Sequence, residues 1–303
     1  MERRGFIKKV GLGSTLLGVS GAMSMPSFAA GKAEPTFNMD FAPHFGMFRN
    51  SAPGGIVDEL KFMADQGFRS LEDNGMLGRS VEEQTLIGKT LESLGMKMGV
   101  FVIEGGENWK TALTTGKKEH SDLFVDTCKK SVEVAKRVGA KWMTVVPGYF
   151  ERNLPMGVQT GNVIEAYKRG AEVLEKEGLV MVMEPLSDNP DLFLRHADQS
   201  YMICKAVDSP ACKILYDIYH MQRNEGNLIA TMQKTWDEIA YIQIGDNPGR
   251  KEPGTGEINY SNVFKFIHEK GFKGVMGMEH GNATPGVEGE KALIQAYRKV
   301  DIV

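Results

Sequence analysis

Four residues with oxygen-bearing side chains each follow a short apolar segment in the second half of the chain. They are Glu184 after Leu-Val-Met-Val-Met, Asp217 after Lys-Ile-Leu-Tyr, Gln243 after Ala-Tyr-Ile, and Glu279 after Gly-Val-Met-Gly-Met. A charged group at the end of a buried segment is costly unless it is paired or bound to a cation. Three carboxylates and an amide are hard ligands that suit Mg²⁺ or Mn²⁺. If the segments are neighbouring strands, we expect a divalent metal site where they end, although each residue alone could be a solvent-facing strand end.

Other polar residues near the predicted strand ends are candidates for substrate binding. His220 follows Asp217 by three residues, and Arg250 lies in a loop rich in Gly and Pro, where its guanidinium could bind a carboxylate or hydroxyls. Glu257 belongs to the same loop and could instead stabilise the start of the next helix. The first three predicted strands also end in polar residues, which are His44, Glu72 and Glu104. We expect these residues to line the same pocket.

Eight short apolar segments alternate with longer amphipathic segments, a pattern that predicts a repeated strand–helix unit. The strands are predicted over 38–41, 68–71, 97–103, 141–146, 179–183, 213–216, 240–242 and 274–278, and the last helix over about 287–300. Five helical segments end in Gly followed by an apolar residue, which is the usual signal for a helix end before a strand.

Eight such units predict an α/β fold, a (β/α)₈ TIM barrel that occupies residues 36–303 as a single domain. In a barrel the carboxyl ends of the strands share one face, so the four oxygen-bearing residues would converge there. The alternative is a doubly wound sheet, which would usually carry a Gly-rich phosphate loop after its first strand. This chain has Ala-Pro-His-Phe-Gly over 42–46, which favours the barrel.

The composition excludes several classes of protein. Of the 303 residues, 42% are hydrophobic and 25% are charged, which is ordinary for a globular protein. The formal net charge of −3 provides no positive field, so we expect no nucleic-acid partner. The three cysteines have no paired spacing and are predicted to be buried thiols rather than disulfides or metal ligands.

Residues 1–29 have the layout of an export signal. Four positive charges within residues 3–9 precede a mildly apolar stretch rich in Gly, and Ser27-Phe28-Ala29 has the pattern of a cleavage site. The pair Arg3-Arg4, followed by Gly-Phe-Ile-Lys, resembles a bacterial twin-arginine signal. That resemblance implies the twin-arginine translocase as a partner and a periplasmic or otherwise exported protein. A general secretory signal and a retained lipid or helical anchor are the alternatives.

Four motifs together resemble the hydroxypyruvate isomerase family, within a xylose-isomerase-like barrel group that also includes ketose 3-epimerases. They are MEP at Glu184, YDIYH at Asp217 and His220, IQIGD…GRKEPGTGEINY over 242–260, and GMEH at Glu279. The resemblance implies a divalent metal held by the residues at 184, 217, 243 and 279, with Glu184 and Glu279 as the acid/base pair. Gln243 stands where the epimerases usually carry His, which favours the isomerase branch.

We therefore predict a metal-dependent isomerase that interconverts an aldehyde and a ketone in a small hydroxy-carbonyl or sugar substrate. One Glu would remove a proton next to the carbonyl, the metal would stabilise the enediolate, and the other Glu would return the proton. The alternatives are a ketose 3-epimerase, an exported sugar lyase or hydratase with the same metal site, and a carbohydrate-binding barrel without activity. A DNA-repair nuclease of related fold would need a His-rich site, and the chain has only six His. The oligomeric state stays open, with a homo-oligomer among the options.

Overall fold

Parallel strands alternate with helices throughout the part of the chain that the computed structural model describes, residues 34–103 and 113–301. The strands are β1 (Asp40–Ala42), β2 (Ser70–Leu71), β3 (Lys97–Val102), β4 (Ala140–Val145), β5 (Val180–Met183), β6 (Cys212–Asp217), β7 (Ile239–Gln243) and β8 (Val275–Gly277). The helices are α1 (Ile56–Asp65), α2 (Val81–Leu94), α3 (Lys118–Val138), α4 (Met156–Leu174), α5 (Ala197–Val207), α6 (Ile218–Asn224), α7 (Leu228–Thr235), α8 (Tyr260–Glu269) and α9 (Gly286–Val300). The predicted export signal and Glu104 lie outside the described residues.

The eight strands form one sheet in the order β1-β8-β7-β6-β5-β4-β3-β2, in which every pair is parallel. A single parallel bridge between His44 and Glu72 joins the chain just after β1 to the chain just after β2, which brings the two edges of the sheet together. The predicted (β/α)₈ barrel is therefore confirmed. Each predicted strand overlaps an observed one, and the boundaries differ by at most two residues.

Helix ends follow the glycine pattern that the sequence predicts. Gly95 after α2 has φ 64° and Gly139 after α3 has φ 68°, a left-handed conformation that residues with a Cβ adopt only at a cost. Each of these two helices stops there, and the chain turns directly into the next strand. Among the described residues no helix is long and apolar enough to cross a membrane.

Apolar side chains fill the interior of the barrel below the carboxyl ends of the strands. They form a buried cluster that includes Ala42, Val100, Val182, Leu215, Tyr241 and Val275. Because side chains alternate between the two faces of a strand, a residue two positions further along points the same way. This alternation turns Glu184, Asp217 and Gln243 inward above Val182, Leu215 and Tyr241.

Glu290 on α9 fixes the loop after β1 and should contribute measurably to stability. Its carboxylate accepts hydrogen bonds from the amides of Asn50 and Ser51 at 2.9 and 2.8 Å, and from both of their side chains. Burial alone would raise the pKa of Glu290, but these hydrogen bonds hold it below its ordinary value.

We expect Glu290→Gln to lower the free energy of unfolding by about 1–3 kcal/mol at pH 7. A depressed pKa stabilises the fold above the unfolded-state pKa, and this contribution is lost as the pH falls through the folded-state pKa. The difference between the wild type and the variant should therefore shrink below about pH 4. Urea unfolding at several pH values measures it, and a difference that stays constant down to pH ~3.5 would contradict this account.

Candidate active site

Three carboxylates and one imidazole converge at the carboxyl ends of the strands. Glu184 follows β5, Asp217 ends β6, Glu279 lies two residues past β8, and His220 lies in the first turns of α6. One ligand atom from each of the four lies within 4.8 Å of every other. The structure therefore brings together three of the four residues predicted as metal ligands, together with the predicted substrate-binding histidine.

Asp217 has two distinct roles, one for each carboxylate oxygen. Oδ1 accepts hydrogen bonds from the amides of Tyr219 at 2.7 Å and His220 at 3.1 Å, so the side chain caps the N-terminus of α6. Oδ2 is left to face the acidic cluster. This cap starts a helix directly at the strand end, and the helix places the His220 ring beside the carboxylates.

The His220 ring is fully buried and is oriented by the segment after β5. Its Nδ1 accepts a hydrogen bond from the Ser187 amide at 3.2 Å and lies 2.8 Å from the Ser187 hydroxyl. A neutral ring whose Nδ1 accepts carries its proton on Nε2. Burial lowers the pKa of His220, so the neutral form is favoured. Nε2 lies 3.7 Å from Glu184 Oε1 and 3.6 Å from Asp217 Oδ2 and can donate to an oxygen bound between them.

Arg250 reaches into the cluster from the β7–α8 loop, residues 244–259. Its Nη2 donates to Glu279 Oε2 at 2.7 Å, lies 3.3 Å from Asp217 Oδ2, and lies 3.2 Å from the His220 Nε2. The guanidinium also lies over the Tyr219 ring, 4.9 Å from its centroid. Arg250 therefore partly neutralises the carboxylates in this structure.

Asp246 holds the β7–α8 loop in its irregular shape. The side chain is fully buried, and its oxygens accept hydrogen bonds from the amides of Gly254 at 2.8 Å, Gly256 at 2.9 Å and Ile258 at 3.1 Å. A loop without regular structure thus has its backbone donors satisfied by one carboxylate. The anchored loop positions Arg250 over the cluster.

The electrostatics of the cluster favour a bound cation. Burial raises the pKa of Glu184 well above its ordinary value, and the neighbouring Glu279 raises it further. Burial also raises the pKa of Glu279 against the opposing effect of Arg250, although its side chain is 25% exposed and solvent moderates the shift. Three carboxylates face one guanidinium, so negative charge is in excess. A divalent cation would remove that excess.

Two buried oxygens supply a second sign of a missing ligand. Within residues 34–103 and 113–301, Glu184 Oε1 and Gln243 Oε1 have no hydrogen-bond partner. An unsatisfied buried acceptor costs about 1–3 kcal/mol, and such groups usually have a ligand or water in the working protein. Because hard oxygen donors dominate the set, the residues fit Mg²⁺ or Mn²⁺.

A cavity of about 360 Å³ opens over the cluster, and its wall includes residues that were not predicted. Asn74 donates through Nδ2 to Glu279 Oε1 at 2.8 Å. Asp188 lies at the opening, with Oδ2 3.9 Å from His220 Nε2. Asn74 lies in the turn after β2 and Asp188 in the segment after β5, and no sequence pattern specifies the shape of either.

Three residues predicted to bind substrate lie away from the cavity wall. The ring nitrogens of His44 lie 2.9 Å from the Phe45 carbonyl and 3.1 Å from the His280 carbonyl. Glu257 is exposed and accepts hydrogen bonds from the side chains of Asn247 and Gln222. Glu72 is buried behind Gln243, and burial raises the pKa of Glu72 to about 7. The structure does not bring these three side chains to the substrate space, and their role in binding substrate stays a prediction.

The protein is an eight-stranded parallel barrel, and its acidic cluster lies at the carboxyl ends of the strands. It therefore belongs to the class of barrel proteins whose polar site lies at that end of the barrel. The chain belongs to the Xylose isomerase-like TIM barrel family, which matches residues 60–300. The family resemblance predicted from the motifs at Glu184, Asp217 and Glu279 is thereby confirmed at this level.

Several known proteins are similar to the chain. The hydroxypyruvate isomerase of Escherichia coli strain K12 is 35% identical over 163 residues, which span 53% of this chain and 63% of that protein, less than two thirds of its length. The 2-oxo-tetronate isomerase of Cupriavidus necator is 26% identical over 245 residues, or 79% of this chain and 92% of that protein. A 3-keto-D-glucoside 4-epimerase structure from Escherichia coli has a TM-score of 0.71 at 18% identity, covers 86% of this chain and 99% of its own, and shares the fold. The activities named for the sequence relatives support the predicted enzyme class, an isomerase.

Proposed function

We propose that the protein is a metal-dependent isomerase of a small hydroxy-carbonyl or sugar-like compound. The observation that carries this proposal is the convergence of Glu184, Asp217 and Glu279 in one cluster at the cavity. Buried oxygens of Glu184 and of Gln243, the strand neighbour of Asp217, lack partners among the described residues. Relatives named hydroxypyruvate isomerase and 2-oxo-tetronate isomerase support the same class of reaction. The reaction moves a proton between adjacent carbons while a hydroxyl and a carbonyl exchange places.

Each side chain of the cavity has its own role in the proposed reaction. Glu184 and Glu279 take and return the proton, since both carboxyls face the cavity and a carboxyl group can act as a general acid or base. Burial raises the pKa of both groups above the ordinary value, which favours proton uptake. His220 donates from Nε2 to a substrate oxygen, and Arg250 neutralises charge beside it. A divalent cation held by Glu184, Asp217, Gln243 and Glu279 would supply Lewis-acid stabilisation of the charge that develops on the substrate oxygens.

The role of Arg250 predicts opposite effects on substrate and on metal. Arg250→Met should lower kcat/KM by roughly 10- to 100-fold, since a charge-assisted hydrogen bond to substrate is lost. The same variant should bind Mn²⁺ somewhat more tightly, because a positive charge no longer contacts Asp217 Oδ2 and Glu279 Oε2. Steady-state kinetics and calorimetric Mn²⁺ titration measure the two effects. A parallel loss of both would instead indicate that Arg250 is needed to hold the site together.

The direct test of the function combines metal analysis with a reaction screen. The purified protein should contain a divalent metal in about a 1:1 ratio, the stoichiometry of a single shared site. Hydroxypyruvate and free ketoses are incubated with the enzyme in D₂O, and the products are identified by NMR. Isomerisation with deuterium incorporated at the carbon next to the carbonyl supports the proposal. Protein that is metal-loaded and folded but inactive on every hydroxy-carbonyl compound would contradict it.

A ketose 3-epimerase is the second candidate, because the cavity has room for a ketose. A volume of about 360 Å³ lies in the range of sites for ligands much larger than a three-carbon acid. The same pair of carboxyls could remove a proton from one face of a carbon and return it to the other. Deuterium at C3 with an unchanged carbonyl position would identify epimerisation, whereas a shifted carbonyl identifies isomerisation.

We also propose that the protein is exported through the twin-arginine translocase. The support is the pair Arg3-Arg4 ahead of Gly-Phe-Ile-Lys and the small residues at Ser27 and Ala29. Replacing both arginines by Lys should retain the protein in the cytoplasm, as measured by cell fractionation and immunoblotting in a bacterial host. Unchanged export of the double variant would point to the general secretory route.

A further inference from the structure

Glu72 is a buried carboxylate inside the barrel, and none of the lysine, arginine or histidine side chains in the described ranges forms an ion pair with it. Its side chain is 1% exposed, and no salt bridge to it occurs among the described residues. Its oxygens instead accept hydrogen bonds from the Tyr241 hydroxyl at 2.9 Å and from Gln243 Nε2 at 2.9 Å. Burying a carboxylate in this way is expensive. The arrangement therefore calls for a role beyond packing.

Neighbouring strands leave room for this network where a side chain would block it. A Cβ at Gly277 on β8 would lie 1.7 Å from Glu72 Oε2, so a larger residue there would displace the Glu72 carboxylate. A Cβ at Gly99 on β3 would lie 2.4 Å from the Tyr241 hydroxyl. The two glycines therefore leave open the space inside the barrel that the side chains of Glu72 and Tyr241 occupy.

The hydrogen bond from Gln243 to Glu72 determines which end of the Gln243 side-chain amide is free to bind another group. An amide has a donor end and an acceptor end, and a carboxylate can contact only the donor end favourably. Because Nε2 is held by Glu72, Oε1 is the free end, and it is buried without a partner among the described residues. Gln243 is also the strand neighbour of Asp217, one of the carboxylates of the cluster.

We propose that Glu72 is a positioning residue that fixes the Gln243 amide so that its oxygen, and not its NH₂ group, is presented to the cation. The inference rests on the proposed metal-dependent function. Without the carboxylate, the amide could turn either end toward the cation, and the NH₂ end would repel it. Glu72 itself does not contact substrate, which agrees with its place behind the cavity wall.

The proposal predicts that, of residues 72 and 243, one must donate the hydrogen bond between them and the other must accept it. A Glu at 243 would place two carboxylates against each other inside the barrel and should be unfavourable. Exchanging the two residues restores one donor and one acceptor. In that exchanged pair a Gln at 72 donates to a Glu at 243, whose second oxygen remains available to a metal.

The test is a set of Mn²⁺ titrations on metal-free protein, followed by electron paramagnetic resonance of free Mn²⁺. Glu72→Leu should raise the Mn²⁺ dissociation constant roughly 10- to 100-fold, the usual effect of losing a residue that orients a metal ligand. Gln243→Glu alone should weaken binding by a similar factor. The double variant Glu72→Gln with Gln243→Glu should bind at least ~10-fold more tightly than Gln243→Glu alone. Glu290→Gln, a buried carboxylate change on α9, should leave the constant unchanged.

The results of these titrations distinguish a failure of the positioning role of Glu72 from a failure of the proposed function. If the wild type binds Mn²⁺ and Glu72→Leu binds it equally well, or if the double variant binds no more tightly than Gln243→Glu, the positioning role is overturned while the proposed function stands. If the wild type binds neither Mn²⁺ nor Mg²⁺, the proposed function fails and the positioning role fails with it. Circular dichroism without metal checks each fold, and if Glu72→Leu does not fold, the comparison of the two Gln243→Glu proteins decides the question.

Discussion

Replacing Glu184 or Glu279 by Gln should lower kcat by roughly 10²- to 10⁴-fold in each variant, the usual contribution of a general acid or base. The amide keeps the shape of the side chain but can neither take nor return a proton. Both positions face the cavity beside His220 and Arg250, so the loss should appear in kcat more than in KM. Progress curves followed by NMR under saturating substrate measure the loss.

Controls for these variants separate proton transfer from metal binding and from folding. Each variant is titrated with Mn²⁺, since both residues are also proposed ligands, and is assayed at a metal concentration that saturates it. Glu165→Gln on α4 is a matched exchange at an exposed position and should leave kcat unchanged. If both active-site variants keep activity within a few-fold of wild type when saturated with metal, the acid/base pair is wrong.

The pair also predicts a difference in exchange behaviour. A variant that has lost the residue that removes the proton should not exchange substrate hydrogen with D₂O. A variant that has lost only the residue that returns the proton can still exchange hydrogen at the original carbon without forming product. Comparing exchange with product formation in Glu184→Gln and Glu279→Gln therefore assigns the two roles.

The strand ends could be predicted from the sequence because the physics that places them is local. Apolar segments alternate with helices, glycine ends the helices, and alternation along each strand decides which side chains face inward. The positions of Asp217 and Gln243 could be predicted from these local patterns alone, since each residue ends its own strand. The same reasoning predicted the barrel, because eight successive units leave few other ways to bury both faces of the sheet.

The contacts that tune the site could not be predicted in the same way, because they cross the barrel between distant segments. Asn74 meets Glu279 across 205 residues of sequence, and Glu72 meets Gln243 across 171. Glu72 was expected on the pocket wall from its place at a strand end. The missing side chain at Gly277 instead lets it lie behind Gln243, and that consequence of a glycine is visible only in three dimensions.

Removing divalent metal should abolish isomerase activity, with a fall of at least ~10³-fold, because the acidic cluster would lose both its Lewis acid and the partner of its unsatisfied oxygens. Mn²⁺ or Mg²⁺ added back should restore the rate. Free metal at about 100 times its dissociation constant should also stabilise the fold by about 2.7 kcal/mol, since a ligand that binds only the native state adds that much. Chelation with a removable chelator, followed by activity assays and thermal unfolding, measures both effects on one sample.

If the protein itself holds the metal, chelation must lower both the activity and the stability of the fold. Chelation that removes activity without lowering the unfolding temperature would place the metal on the substrate rather than in the protein. Glu290→Gln should lower stability with and without metal by the same amount, because its hydrogen bonds lie on the loop after β1 and not at the cluster. If metal-free protein keeps its full rate, then Arg250 and His220 must stabilise the developing charge by themselves. In that case the excess of carboxylates around them would have to be carried as protonated acids.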